Sequence, residues 1–190
     1  MQKTLTLLFI MVLAFPGLAQ YKYEKEIRID RTDVPAAALR LVDSMDFPSR
    51  VRWYQEIGYD RTSFEAKTRY RGRRYSIEFS LDGSFEDLEI EIAAGEVPEE
   101  AWEGIKAHLS TAYPRYLVEK IQVQYTGDPD LILAFIRDPE DAPPPVTHYE
   151  LVISAREEGS FTLLEYLFTD EGGFVHRSKI VPHNIDNIIY

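Results

Sequence analysis

The side chains that most often coordinate metals are scarce in this chain of 190 residues, which has no cysteine and only four histidines. The histidines are His108, His148, His176 and His183. No two of them have the i, i+4 spacing by which one helix face offers two ligands to zinc, and cysteine is the other common zinc ligand. The sequence therefore predicts no zinc site.

Two acidic loops are the other segments where an ion could bind. They comprise residues 128–130 and residues 138–141. A calcium-binding loop of the EF-hand type needs acids at fixed alternate positions, and neither segment has that spacing. We therefore interpret both as solvated loops, and we expect neither a metal nor a cofactor.

The sequence contains no catalytic motif that we recognise. It contains no Gly-x-Ser-x-Gly nucleophile elbow and no glycine-rich phosphate loop. Its serines lack the context of a catalytic triad, and no acid–base pair can be selected among 32 acidic residues. The sequence predicts no catalytic residue and a protein that is not an enzyme.

The first 19 residues have the pattern of a secretory signal peptide. Lys3 supplies a positive start, residues 5–15 form an almost unbroken apolar run, and Gly17 and Ala19 place small residues where a signal peptidase cuts. An N-terminal membrane anchor is the alternative, but the run is too short to span the roughly 30 Å of a bilayer core. We expect cleavage after Ala19, a periplasmic or secreted mature chain, and no stable membrane insertion.

The mature chain is acidic, and its charge is uneven. Without Lys3 it carries 20 basic and 32 acidic residues, a net charge of −12. Such a charge repels a phosphate backbone, so nucleic acid is not an expected partner. Residues 20–93 have a net charge of −2 and residues 94–190 a net charge of −10. This split predicts two structural units, 20–93 and 94–190.

Each predicted unit begins with the same type of helix start. Val34-Pro35 and Val97-Pro98 each follow an acid and precede an apolar helical stripe. Proline suits a helix start because its missing N–H has no partner there. The stripes are Ala38, Leu41, Val42 and Met45 in the first unit, and Ala101, Ile105 and Leu109 in the second.

Alternating apolar residues follow each helix. Tyr75, Ile77 and Phe79 in the first unit align with Leu164, Tyr166 and Phe168 in the second. A period of two with one apolar face predicts antiparallel strands that are buried on one side. We therefore predict an α+β fold of two tandem units, each a helix packed on a roughly four-stranded antiparallel sheet.

The second unit also contains an interruption. Residues 131–136 form an apolar run that we interpret as a strand, and the acidic, proline-rich residues 138–145 follow it. Consecutive prolines cannot donate to a strand ladder. We therefore predict that residues 138–145 form a stiff inserted loop.

Four short motifs in the first unit resemble a known family. They are Arg52-Trp53-Tyr54-Gln55-Glu56, Ser63-Phe64-Glu65-Ala66, Tyr75-Ser76-Ile77-Glu78-Phe79 and Leu81-Asp82-Gly83. This pattern resembles the secreted PepSY-like proteins of Bacteroidetes, also described as β-lactamase-inhibitor-like, although Phe64 replaces their usual tyrosine. The resemblance covers residues 33–93 well and residues 97–181 weakly. It implies two tandem helix-plus-sheet units with one curved, open surface, and binding or inhibition rather than catalysis.

An apolar strip in the second unit is the main candidate binding site. If Leu164 and Tyr166 point toward the helix, then Phe161, Leu163 and Leu167 point the other way, and Val152 does likewise. Exposed apolar clusters are uncommon on monomers. The strip is therefore either a partner-binding patch or is covered by another segment of the chain. The candidate covers are Ile185, Ile188, Ile189 and Tyr190 at the C-terminus, and Tyr21, Tyr23, Ile27 and Ile29 at the N-terminus.

A basic run in the first unit is a second candidate. Lys67 and Arg69 lie in it and could anchor an acidic partner. The alternative is that they pair across strands on a solvated face. If Tyr70 pairs with Tyr75, Lys67 falls opposite Glu78.

Three functions remain compatible with these patterns. The favoured one is a non-catalytic binding protein that engages or inhibits another exported protein through an open sheet face. The alternative is a carrier of a small apolar ligand or lipid, which needs a closed apolar pocket. A carboxylate-based hydrolase needs a cleft with acids of shifted pKa.

Overall fold

The computed structural model describes residues 20–22, 25–58, 61–138, 140–157 and 159–181. The predicted signal peptide lies outside these ranges, as do the C-terminal residues proposed as a cover for the apolar strip. Of the N-terminal candidates, Tyr21, Ile27 and Ile29 lie inside these ranges, and Tyr23 lies outside them. None of the helices in this part of the chain has the length and apolar content needed to cross a membrane.

The described chain forms ten strands and three α-helices. The strands are β1 (Gln20–Lys22), β2 (Lys25–Ile29), β3 (Arg52–Ile57), β4 (Thr62–Tyr70), β5 (Arg73–Ser80), β6 (Phe85–Glu91), β7 (Tyr116–Thr126), β8 (Val146–Glu157), β9 (Ser160–Thr169) and β10 (Phe174–Ile180). The helices are α1 (Ala36–Ser44), α2 (Glu99–Ala112) and α3 (Pro129–Arg137).

All ten strands belong to one sheet, in the order β1-β10-β9-β8-β7-β6-β5-β4-β3-β2. Strands β2 to β10 pair antiparallel throughout, and β1 adds to β10 in parallel. The prediction of two tandem units, each with its own four-stranded sheet, is therefore wrong. Strands β6 and β7 would have been the edges of such units, and they pair with each other instead. Pairing satisfies backbone groups that an edge would leave open.

The sheet is strongly curved, because its two ends are joined by a short piece of chain. β1 lies at one end of the strand order and β2 at the other. Lys22 ends β1 and Lys25 begins β2. Three residues of chain span at most about 11 Å, so the two ends of the sheet approach each other at this point. We call the concave side of this sheet the inner face and the helix-covered side the outer face.

Helices α1 and α2 begin in the same way, as the sequence indicates. Each follows a short 3-10 turn and a Val-Pro pair, with Pro35 and Pro98 at the N-cap positions. Val34 and Val97 are buried in the core beside them. Each helix then turns its apolar stripe toward the outer face of the sheet.

Glycine turns hold these helix starts against the sheet. Gly83 and Gly172 both adopt positive φ, at 84° and 82°. A Cβ built on Gly83 would lie 2.6 Å from Cβ of Pro35, and one built on Gly172 would lie 2.3 Å from the backbone oxygen of Ala101. The two halves of the chain therefore use the same close contact between a hairpin turn and a helix start.

The core lies between the helices and the outer face and runs continuously under both halves of the sheet. The aligned side chains predicted to face the helices are buried, as the period-two pattern indicates. They are Tyr75, Ile77 and Phe79 on β5, and Leu164, Tyr166 and Phe168 on β9. One shared core explains why the chain does not divide into two separate helix-plus-sheet bodies.

Residues 131–136 are helical, so the prediction of a strand there is wrong. Asp128 caps α3, because its carboxylate accepts a hydrogen bond from the backbone N–H of Asp130 at 2.9 Å. Pro129 occupies the first turn, and Ile132 and Leu133 are buried. An uninterrupted apolar run fits a buried strand or a buried helix equally well, and the cap decides for the helix.

Candidate binding cleft on the inner face

The inner face encloses a cleft of about 780 Å³. Its lining extends from Glu26 on β2 to Ile180 at the end of β10, so it crosses the sheet from one end to the other. Side chains that alternate with the core residues point into it. The curvature of the sheet, rather than a covering helix, removes them from solvent.

Five glutamates form the floor of this cleft. They are Glu56, Glu65, Glu89, Glu150 and Glu165, and each is only 5–8% exposed. We call them the acidic floor. Carboxylates are rarely buried unless they are paired or hydrogen-bonded. The groups that pair with these glutamates therefore determine how much negative charge the inner face presents to a ligand.

One group of carboxylates on the inner face lies next to the ammonium group of Lys67. Oxygens of Glu26, Glu56 and Glu65 lie within 4.8 Å of one another. The Lys67 ammonium lies 2.6 Å from Glu26 and 2.8 Å from Glu65. We call Glu26, Glu56 and Glu65 the lysine triad. Ser76 also donates a hydrogen bond to Glu65.

The position of Lys67 has a clear electrostatic consequence. Partial burial alone would lower the pKa of this ammonium, but the adjacent carboxylates of Glu65 and Glu26 raise the pKa above its usual value. The ammonium group therefore stays charged and offsets part of the negative charge of the lysine triad.

A second group of carboxylates lies on β5 and β6, near the middle of the strand order. Oxygens of Glu78, Asp87 and Glu89 lie within 4.8 Å of one another. We call these three residues the central triad. Arg61 contacts Glu78 at 3.2 Å, and the Gln122 amide nitrogen donates to Glu89 at 2.6 Å.

Burial and charge act together on Glu89. Desolvation raises the pKa of its carboxyl group well above the usual value, and the nearby Glu150, Glu78 and Asp87 raise it further, while Lys120 lowers it. The carboxylate form of Glu89 is therefore energetically unfavourable in the absence of an additional cation.

The rim of the cleft is basic. Four exposed arginines line it, and they are Arg50, Arg52, Arg69 and Arg74. Arg74 contacts Glu91 at 3.3 Å. An acidic floor beneath a basic rim presents both charges to anything that enters.

The structure separates the two basic residues predicted as binding candidates. Lys67 lies opposite Ser76, and Tyr70 lies opposite Arg73, so the predicted pairing of Lys67 with Glu78 is wrong. The turn is shorter than assumed, because Arg71 and Gly72 both adopt positive φ in a two-residue hairpin loop. Lys67 is thereby directed into the lysine triad, whereas Arg69 stays on the rim.

The four apolar candidates lie on strands β8 and β9. Val152 lines the cleft, Leu163 and Leu167 are half-buried, and Phe161 is 80% exposed. Glu165 interrupts the strip, since it lies between Leu163 and Leu167 on β9 and opposite Val152 on β8. The predicted strip is therefore a mixture of apolar and acidic side chains at one side of the cleft.

Sequence reasoning missed the acidic floor and the central triad. The alternation predicts that Glu65, Glu78 and Glu89 face away from the helices, on a face that it also predicts to be solvated. The pattern contains no signal for curvature, which depends on the pairing of β6 with β7 and on the chain linking β1 to β2. The strand register places three acids directly opposite one another on adjacent strands, namely Glu65, Glu78 and Asp87. This arrangement cannot be recognised before the register is known.

No protein-family model matches this chain, and no curated protein matches it. Several solved structures have a similar fold. A DUF2874 family protein from Bacteroides uniformis gives a TM-score of 0.52 at 14% identity over 77% of this chain and 89% of that chain. A Bacteroides eggerthii protein, described provisionally as periplasmic, gives 0.50 at 12% over 77% and 88%. A BLIP-like protein from Bacteroides fragilis gives 0.48 at 14% over 83% and 92%.

At this level of identity the similarity shows the fold alone. The resemblance inferred from the strand motifs is confirmed in part, because the solved structures that share the fold are Bacteroides proteins. The PepSY-like assignment and secretion of this chain stay predictions.

Proposed function

We propose that the mature chain is an exported, non-catalytic binding protein that takes a segment of another exported protein into the inner-face cleft. The observation that carries this proposal is the cleft itself, a concave surface of about 780 Å³ whose floor is acidic and whose rim is basic. Placed charges of both signs favour a partner with complementary charges, because mismatched partners leave buried charges unpaired.

The apolar candidates add a contact area to this surface. Phe161 is exposed near the start of β9, the strand that carries Glu165 into the cleft, and Leu163 and Leu167 are half-buried on the same strand. Aromatic and aliphatic side chains at the edge of a polar cleft resemble the anchors of protein interfaces. A partner segment in the cleft would bury them while its charged groups pair with the floor and the rim.

A carrier of an apolar ligand is less compatible with this lining. An acyl chain in the cleft would lie against buried carboxylates and strip their remaining hydration without replacing it. Export of the chain is supported by the pattern of residues 1–19 and by the fold shared with a protein described provisionally as periplasmic.

Affinity capture with immobilised mature chain tests the proposal. Periplasmic and secreted fractions of the source cells would be passed over wild type, over Phe161→Ser, and over a Leu163→Ser/Leu167→Ser variant. Leu81→Ser is the matched control, because Leu81 is 57% exposed and lies in the turn between β5 and β6, outside β8 and β9. We expect wild type and the control to retain the same protein and the strip variants to lose it.

Circular dichroism and denaturant unfolding must show that the strip variants remain folded. Equal retention by all four proteins would contradict a partner site on this face. Recovery of a lipid or metabolite without any protein would contradict the proposed class of ligand.

A further inference from the structure

We infer that the basic rim of the cleft binds the carboxylates of an extended protein segment in which acids alternate with other residues. The inference deepens the proposed function and rests on it, because the acids would belong to the partner segment that enters the cleft. The basic rim consists of the four exposed arginines that line the cleft, which are Arg50, Arg52, Arg69 and Arg74.

Most of the charge on the basic rim is available to a ligand. Within the described ranges, the guanidinium groups of Arg50, Arg52 and Arg69 form no salt bridge. Arg74 has one acidic partner, Glu91, and that pair is exposed to solvent. Exposed pairs of this type are weak, so a ligand can compete for this arginine as well.

The strand register brings these charges together. Arg69 on β4 lies directly opposite Arg74 on β5. Arg52 on β3 lies opposite Lys67, which precedes Arg69 by two residues on the same face of β4. Like charges directly opposite each other destabilise a sheet, so an anion between them would offset a repulsion that the pairing imposes.

The fourth arginine is placed beside the others by a side-chain contact. The Thr68 hydroxyl lies 3.4 Å from the backbone oxygens of both Ser49 and Arg50. Because Thr68 directly precedes Arg69, this contact holds the chain that leads into β3 against the end of β4. The contact uses the backbone of Arg50 and leaves its guanidinium group to a ligand.

Carboxylates of a protein segment match this site better than a long polyanion does. The planar fork of arginine binds carboxylate and phosphate groups alike. However, the acidic floor lies in the same cleft, and the whole chain carries a formal net charge of −11. A nucleic acid would extend its phosphates over this negative surface and be repelled. A peptide can place acids at the rim and uncharged or basic residues over the floor.

The width of the rim predicts the spacing of the acids. The rim extends over three adjacent strands, β3, β4 and β5, whose axes lie about 4.8 Å apart, so it is about 10 Å wide. In an extended segment, residues i and i+2 point to the same side and lie about 7 Å apart. Two acids separated by one residue therefore both reach the rim, whereas two adjacent acids point to opposite sides.

Binding of a short synthetic peptide tests the inference. The probe is the capped peptide Thr-Glu-Thr-Glu-Thr, and the control peptide has the same composition in the order Thr-Glu-Glu-Thr-Thr. Calorimetric titration of the mature chain at pH 7.5 gives both affinities. We expect a dissociation constant of about 10⁻⁴–10⁻³ M for the probe and at least about fivefold weaker binding of the control peptide. Binding of the probe should weaken as salt is raised from about 50 mM to about 500 mM, because the arginines are exposed.

Two variants and one control variant locate the site. Arg52→Gln and Arg69→Gln each remove one charge of the rim, and we expect each to weaken binding of the probe about tenfold. Arg40→Gln is the matched control, because Arg40 is an exposed arginine on α1, which packs on the outer face. It changes the net charge by the same amount, and we expect its affinity to equal that of wild type. Circular dichroism checks that each variant is folded.

Absence of probe binding up to about 5 mM would overturn the inference. Equal affinity for the two peptides would overturn it, as would equal weakening by Arg40→Gln and the rim variants, since either result shows general attraction to positive charge. Tighter binding of an oligothymidylate than of the probe would overturn the choice of ligand.

Affinity capture distinguishes a failure of this inference from a failure of the proposed function. If wild type, Arg52→Gln and Arg69→Gln retain the same exported protein equally, the cleft binds a partner without the rim, and only the inference fails. If wild type retains no protein at all, the proposed function fails instead, whatever the peptides show.

Discussion

The two faces of one sheet are buried in different ways. On the outer face, apolar side chains such as Phe79 and Tyr166 are covered by α1 and α2, and the hydrophobic effect accounts for their burial. On the inner face, glutamates are just as buried, although no helix covers them and no apolar group gains from their position. The outer face is what holds the fold together, whereas the inner face is costly to maintain.

This difference indicates that the outer face contributes stability and that the inner face contributes function. Buried carboxylates lose the free energy of hydration, and the ion pairs that they form inside the protein compensate for only a part of that loss. Proteins retain such arrangements where a ligand or partner needs them, at the expense of stability. The inner face is therefore where we place binding, and the variants below test that division.

The largest effect is expected from removing a core side chain on the outer face. Phe79 is fully buried and contacts Trp53 and Phe85. We expect Phe79→Ala to lower the free energy of unfolding by about 3–5 kcal/mol, through lost burial and a cavity. Ser76 lies on the same strand and points inward, and Ser76→Ala should lower it by about 1 kcal/mol, because one hydrogen bond to Glu65 is lost.

Urea unfolding followed by circular dichroism gives both values. A loss at Ser76→Ala equal to that at Phe79→Ala would contradict the division, since the inner face would then carry as much of the stability as the core.

A turn glycine tests how the helices are attached to the outer face. Gly172 and Gly72 have similar positive φ, at 82° and 80°, but a Cβ meets the backbone of Ala101 only at Gly172. Alanine at Gly72 should lower the free energy of unfolding by about 1–2 kcal/mol through backbone strain alone. Alanine at Gly172 should lower it by about 1–3 kcal/mol more, because the start of α2 must move.

Thermal and urea unfolding of Gly172→Ala and Gly72→Ala measure this difference. Equal losses in the two variants would show that the contact between this turn and α2 contributes nothing beyond the backbone conformation.

The pH dependence of stability probes the inner face directly. The pKa of Glu89 is raised well above the ordinary value of 4.5, with burial as the main cause and Glu150, Glu78 and Asp87 adding to it against Lys120. Below pH 4.5 Glu89 is protonated in both folded and unfolded chains. As pH rises, the unfolded chain releases this proton first, so the folded state loses stability through the folded pKa.

Glu89→Gln removes this loss. We expect the variant to be more stable than wild type at pH 7.5 and to approach wild type near pH 4.5, an effect smaller than that of Gly172→Ala. Urea unfolding of both proteins across this range measures the difference. A constant difference at all pH values would show that Glu89 has an ordinary pKa.

The smallest effect is expected at the rim. Arg74 and Glu91 form an ion pair at 3.3 Å, with side chains 66% and 40% exposed. Such pairs contribute about 0–1 kcal/mol, so Arg74→Ala should change the free energy of unfolding by less than about 1 kcal/mol. A larger loss would mean that the rim contributes to the fold, and the contrast between rim and core would weaken.

The sequence predicts the outer face well because local periodicity determines it. The burial of Ile77 and Tyr166 follows from alternation, and the helix starts at Pro35 and Pro98 follow from cap chemistry. The prediction of a strand at residues 131–136 is wrong, because six consecutive apolar residues show neither the helical period of 3.6 nor the strand period of two. Only the cap at Asp128 distinguishes the helix.

The inner face could not be predicted in the same way. Which side Glu89 faces is a local property, but its burial depends on curvature, and its neighbours depend on register. A two-residue error in the length of a turn, as at Arg71-Gly72, moves the residue opposite Lys67 from Glu78 to Ser76. The partners of a charged side chain in a sheet are therefore set by strand pairing across the whole molecule, which no short motif records.

The most direct test of the division between the faces is urea unfolding of wild type, Phe79→Ala and Glu89→Gln at pH 7.5. If the outer face stabilises the fold and the inner face costs stability, Phe79→Ala is less stable than wild type and Glu89→Gln is more stable than wild type. A loss of stability in both variants would contradict the account.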